Sequence, residues 1–224
     1  LAEVVESLDF EPNFASFIRI DLTVSKPKQL KLLSRARVWA HFYGVETFDA
    51  GAGKAVSKGM SPDKIKQGLL DMRKHMLDEL GLYRGSLGMI AGLPGETPES
   101  WRASEQWLLE NWIDQNWTWW PLEISTEDNL ATVSEFSREW AKNGYSEMQD
   151  ESRINYIKDV FLRQKTHIQH KYDHTTLYWQ HTAADLKDAV DFVQWHRNQQ
   201  EELGHPNKIP NFHILNYAGK YKWE

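Results

Sequence analysis

Gly88-Met89-Ile90-Ala91-Gly92-Leu93-Pro94-Gly95-Glu96-Thr97-Pro98-Glu99-Ser100 is the stretch that decides the fold. Ser86 to Gly92 is short and largely apolar, as a buried parallel strand is. A Gly-Leu-Pro-Gly turn follows. Thr97-Pro98-Glu99 then offers an N-cap, a proline at the first helical position and an acid in the first turn. Gly92 and Gly95 permit tight backbone angles and let a ligand approach the main chain. The free N–H groups opening the next helix suit a polar or anionic group. By spacing alone, a generic strand–helix turn explains the same residues.

Three further strands are expected, over Phe17–Val24, Val38–Val45 and Trp117–Ile124. Helices lie between them. Ser61-Pro62-Asp63 repeats the helix-start signal; Ile65, Leu69, Met72, Met76 and Leu80 recur at helical spacing, and Gly81 stops the run. Trp101, Leu108 and Trp112 give the helix after Thr97 its apolar stripe. A shorter helix fits Pro27–Ala36, and Leu1–Leu8 reads as the end of another. Alternating strands and helices imply an α/β fold with parallel strands and right-handed crossovers. Four strands do not close a barrel, so the sheet is either open or part of a larger barrel. The expected division is residues 1–125 for this α/β part and 126–224 for a mainly helical extension.

Composition excludes several classes. The chain has 224 residues, enough to bury a core, and 41% of them are hydrophobic. No run of about 18 apolar residues exists. The first 20 residues carry Glu3, Glu6, Asp9 and Glu11 and do not read as a signal peptide, so a cytoplasmic location is expected. The net charge of −6 argues against a basic nucleic-acid-binding surface. There is no cysteine, which removes disulfides, thiol nucleophiles and thiolate metal sites from this chain. No Gly-x-Ser-x-Gly elbow and no zinc-hydrolase histidine pair is present.

A second candidate stretch is Gly44-Val45-Glu46-Thr47-Phe48, followed by Lys54, Lys58 and Gly59. Glu46 stands just after an apolar strand, and in parallel α/β folds the carboxyl ends of strands line the site. A carboxylate there can accept hydrogen bonds from an amine or a ribose. A capping or ion-paired glutamate is the plainer alternative.

At these two stretches the sequence resembles the later half of a radical S-adenosylmethionine (SAM) enzyme. The similarity covers roughly residues 17–125 and lies in "GVETFDAGAGKAVSKGMSPDKIKQGLLDMRK" followed by "GMIAGLPGETPES". It implies a partial (βα) barrel of the TIM type, with the four strands as its third to sixth and the extension covering the barrel mouth. It places Glu46 near SAM at one strand end, and Gly88, Ile90 and Gly92 along the adenine side. The full reaction it implies is reductive cleavage of SAM to a 5′-deoxyadenosyl radical, an oxidoreductase chemistry in which that radical abstracts hydrogen from an unassigned substrate. It also implies a [4Fe–4S] cluster on a Cys-x-x-x-Cys-x-x-Cys loop. This chain departs from the family there. Two alternatives follow: part of a longer protein whose upstream portion holds the cluster, or a cysteine-free binding or structural module. The resemblance is nearest to members with an upstream cobalamin-binding domain, although nothing in these residues shows cobalamin.

Arg19 and Asp21 could face SAM or substrate, but an internal ion pair is the preferred reading. His41 reads as a satisfied core histidine. His167, His170 and His174 could share one helix face, for which a solvated face is preferred over a metal site. His181, His196, His205 and His213 are scattered. Thr126-Glu127-Asp128-Asn129 follows the last strand, where substrate residues could sit. Trp117, Trp119, Trp120, Trp140, Trp179 and Trp195 read mainly as core; Tyr145 and Tyr178 are candidate polar handles without an assigned role.

Overall fold

A computed structural model describes residues 1–126, 135–163 and 176–203. The histidines at 167, 170, 174, 205 and 213 and residues 127–129 lie outside the described residues.

Four strands form one all-parallel sheet in sequential order: β1 (Phe14–Phe17), β2 (Val38–Glu46), β3 (Arg84–Ala91) and β4 (Asn116–Pro121). Monotonic order without a reversal is the path of a (βα) barrel rather than of a doubly wound sheet, and this one is an open arc. The crossovers are α2 (Ile20–Ser25) and α3 (Lys28–Arg35), then α4 (Ala50–Ala55) and α5 (Pro62–Leu80), then α6 (Pro98–Asn111). A short α1 (Ala2–Glu6) precedes β1. Pro121 ends β4, where a missing N–H costs least because β4 is an edge among the described strands.

The expected helix starts are present. Pro62 opens α5 and Gly81 closes it at φ +65°. Thr97 caps α6 in a reciprocal box with Ser100. The reading of 17–24 as a strand is corrected. The strand ends at Phe17, and Ile20–Ser25 is helical although rich in residues that favour strands. Tertiary packing overrides propensity: Ile20 and Val24, at helical spacing, lie on the face that meets α5. Gly68 of α5 makes room, since a Cβ there would stand 2.2 Å from Val24 Cγ2.

The two sheet faces differ. On the helix side Tyr43, Leu87, Met89, Trp117 and Trp119 are fully buried. The opposite face carries Phe42, Gly44, Gly88, Ile90 and Trp120, all half-buried or exposed; Phe17, with 74% of its surface exposed, packs edge-on to Phe42 at 5.0 Å. Parallel sheets usually have both faces covered.

The other described residues form α7 (Glu135–Arg138), a 3₁₀ turn at Trp140–Asn143, a small antiparallel pair of β5 (Ser146–Glu147) and β6 (Trp179–Gln180), α8 (Glu151–Arg163) and α9 (Leu186–Glu202). Helix α9 packs against β4, α6 and α8. It is pinned by a buried carboxylate: Glu105 of α6 accepts from Trp117 Nε1 at 2.8 Å, Trp119 Nε1 at 2.7 Å and Gln200 Nε2 at 3.3 Å, with His196 Nδ1 at 2.9 Å. An isolated buried charge would be costly, but this one is surrounded by donors. Trp117, Trp119 and Trp179 are core, as expected, whereas Trp120 points to the open face. Among the described residues no helix is long and apolar enough to cross a membrane.

Candidate functional site at the strand ends

Strand β2 leaves the sheet at Glu46, which has φ +71°, a conformation rare outside glycine. The ladder to β3 shifts register between Gly44 and Glu46, so the chain bends as it exits. Lys58 holds this end from the loop after α4. Its Nζ donates to the Gly44 carbonyl at 2.8 Å and lies 3.0 Å from Glu46 Oε1. Ser57 beside it also has positive φ, at +60°. Two left-handed non-glycine residues on one short stretch of surface mark a place the surrounding structure over-determines.

These residues border a cleft of about 520 Å³ at the carboxyl ends of β1 and β2. Phe17, Phe42, Val56 and Met60 give it apolar walls; Arg19, Asp21, Glu46 and Lys58 supply charge. Arg19 and Asp21 are indeed an ion pair, at 2.7 Å, but not an internal one: Arg19 is exposed, and the pair stands at the start of α2 rather than within a strand. The pairing holds the Asp21 carboxyl below its ordinary range.

The turn after β3 is organised by Glu96. Its carboxylate accepts from Leu93 N–H at 3.1 Å, from Trp101 Nε1 at 2.9 Å and from the Thr47 hydroxyl at 2.5 Å. Thr47 in turn accepts from Asp49 N–H at 2.8 Å, and Asp49 caps α4 through Ala52 N–H. Thus the two stretches singled out in the sequence are tied to each other. Burial outweighs these donors and pushes the Glu96 carboxyl up to about 7.

The other sequence candidates fall nearby. Gly88 lies beside Gly44 in the β2–β3 register, on the open face with Ile90, and a Cβ on Gly88 would meet Phe42 Cζ at 3.1 Å. Gly92 adopts φ +109°, and a Cβ there would stand 2.4 Å from Trp179. Its carbonyl accepts from the Tyr145 hydroxyl at 2.6 Å, and Trp179 Nε1 donates to Leu122 O at 2.8 Å. His41 is core, as expected: Nε2 donates to Val38 O at 2.7 Å, which leaves Nδ1 to accept from Tyr43 Oη at 2.8 Å. Burial lowers its pKa to about 4.

Sequence reasoning assigned no role to Lys58, Thr47, Glu96 or Glu105. The first three stood inside the quoted motifs; what was missing was the proximity of the two turns, which only the sheet register supplies. Glu105 gave one signal, a lone carboxylate at a helix position flanked by apolar stripe residues.

The cluster implied by the resemblance does not fit this chain. Its iron needs thiolates, the sequence has no cysteine, and among the described residues no group of three histidine or carboxylate side chains could hold a metal.

No protein-family profile matches the chain, and no curated protein sequence matches it. Among solved structures it is similar to the archaeal Methanocaldococcus infernus Elp3 with an N-terminal deletion, at 15% identity over 63% of this chain, with a TM-score of 0.45. It is also similar to coproporphyrinogen III oxidase (HemN) from Escherichia coli, a radical SAM enzyme, at 16% identity over 52% of this chain, with a TM-score of 0.39. The match spans 30% and 26% of those chains, less than a third of either.

Proposed function

We propose that this chain is the rear arc of a radical SAM barrel and that the cleft beside Glu46 receives S-adenosylmethionine. The observation that carries this reading is the tie between Thr47 and Glu96. It brings the Gly-Val-Glu-Thr and Gly-Leu-Pro-Gly-Glu-Thr turns together at the carboxyl end of the sheet, next to a cleft with a carboxylate at its rim. In this reading Glu46 accepts from a ligand hydroxyl or amine, its position fixed by Lys58. Gly88, Ile90 and the Gly92 main chain offer a small-residue and apolar surface on which a flat ring can lie.

The chain's own residues bind and orient; none is assigned a step of the radical reaction. Cleavage of SAM and hydrogen abstraction from a substrate belong to the full-length protein, whose upstream portion would hold the [4Fe–4S] cluster. The β1 edge favours such a portion. Phe10, Phe17, Leu22 and Leu32 are exposed around it, beside a groove of about 490 Å³. The segment around Tyr145 and Trp179 caps the carboxyl ends of β3 and β4, which is the place of an extension at the barrel mouth.

The test is anaerobic reconstitution of the full-length protein with iron and sulfide, followed by an assay for 5′-deoxyadenosine from SAM. Release of 5′-deoxyadenosine supports the reading, and its absence from a cluster-loaded protein overturns it. The absence of cysteine from the chain favours one second reading, a non-catalytic binding module on the same arc. That reading requires a full-length sequence without Cys-x-x-x-Cys-x-x-Cys.

A further inference from the structure

We infer that Glu96 is a positioning residue for the cleft: it acts through Thr47 on the turn that carries Glu46, and its protonation state sets how firmly that turn is held. Glu96 is 3% exposed and belongs to the turn after β3, yet one carboxylate oxygen is committed to the neighbouring turn. Glu46 precedes Thr47 directly and sits at φ +71°. A non-glycine residue keeps that conformation only while its surroundings impose it. Two contacts do so here, Lys58 on one side and the Thr47–Glu96 bond on the other.

The groups facing Glu96 make its charge responsive. Burial first, and Asp49 at the cap of α4 far less, disfavour ionisation, and Tyr145, ahead of β5, approaches from a third element. Trp101 of α6 only donates. The His181 ring lies 5.0 Å beyond, against Tyr145. Among the described residues no lysine or arginine pairs with Glu96. When the carboxyl takes a proton on Oε1, that oxygen and the Thr47 hydroxyl are both donors. Thr47 must then accept from Glu96 and from Asp49 N–H at once, and its own proton loses its acceptor. A charge-assisted bond becomes a neutral one of about half the strength.

The test is backbone hydrogen exchange of residues 44–50 in the full-length protein, corrected for intrinsic rates, at about pH 6 and about pH 8. Local opening that breaks the Thr47 bond while Glu96 stays buried removes a donor that lowers its carboxyl, so protection in the wild type should fall about threefold to tenfold toward the lower pH, opposite in sign to the effect of the same group on global unfolding. Glu96→Gln keeps an acceptor for Leu93 and Trp101 and donates to Thr47, but cannot ionise; its protection should not depend on pH. Should that variant not fold, Thr47→Val must lose the dependence and Thr47→Ser must keep it. Protection independent of pH in the wild type, or unchanged dependence in Glu96→Gln, overturns the inference. The functional consequence rests on the proposed reading of the cleft. It is read separately as SAM affinity, which should weaken about threefold on the same pH change in the wild type only. A pH-dependent turn in a protein that binds no SAM upholds the role of Glu96 and removes the ligand reading.

Discussion

The Thr47 hydroxyl donates to the Glu96 carboxylate at 2.5 Å across two successive strand ends, forty-nine residues apart in sequence. Thr47 is also the acceptor for Asp49 N–H. Replacing it by valine removes both bonds from a buried place and should cost about 2 kcal/mol in denaturant unfolding. Thr47→Ser should cost less than about 1 kcal/mol. Equal losses in the two variants would show that the methyl group, not the hydroxyl, matters there.

Two buried groups give pH slopes of opposite sign. His41 stays neutral in the fold until about pH 4, while its ordinary pKa is 6.5, so stability is lost as pH falls through that window. Glu96 keeps its proton up to about pH 7 against an ordinary 4.5, so its contribution is present at low pH and is lost as pH rises toward 7. Each amounts to roughly 3 kcal/mol over its full window. Their slopes oppose where the windows overlap. Stability curves of Glu96→Gln should therefore show the acid-side loss alone, and those of His41→Gln the loss on rising pH alone. Parallel curves for the two variants would refute both assignments.

Glu105 joins α9 to the sheet through four neighbouring polar side chains. Glu105→Ala withdraws the acceptor that both indoles and His196 share in the core. Chemical unfolding should register a loss of about 3 kcal/mol or more. A loss below about 1 kcal/mol would mean that water or relaxation replaces the carboxylate.

Gly92 and Gly95 both have positive φ, yet their surroundings differ. A Cβ on Gly92 would stand 2.4 Å from Trp179, whereas nothing lies within 4 Å of one on Gly95. Gly95→Ala should cost about 1 kcal/mol, from backbone conformation alone. Gly92→Ala should cost at least about 2 kcal/mol more, because the Trp179 ring must move. Thermal unfolding of the pair checks this, and equal shifts would contradict it.

The helix starts at Ser61 and Thr97, the stop at Gly81 and the core histidine were legible because each is set by local chemistry: a cap, a proline, a left-handed glycine, two partners within three residues. The parallel α/β order was legible from alternation. The 17–24 strand was not. Its β-branched residues state a local preference, but the packing of Ile20 and Val24 on α5, beside Gly68, decides it from about fifty residues away. The short α4 was missed because Gly51 and Gly53 weaken its helical signal, while the Asp49 cap that starts it depends on a side-chain bond to Ala52. Glu46, Arg19 and Asp21 do share one cleft. The turn of Glu46 is held by Lys58 from the following loop and by the Thr47–Glu96 bond between two strand ends, and no window of sequence displays the latter.

The most direct measurement is equilibrium binding of S-adenosylmethionine to the full-length protein and to its Glu46→Ala variant. The wild type should bind, and Glu46→Ala should bind about tenfold more weakly with unchanged thermal unfolding. No binding by the wild type, or equal affinities, would contradict the placing of S-adenosylmethionine beside Glu46.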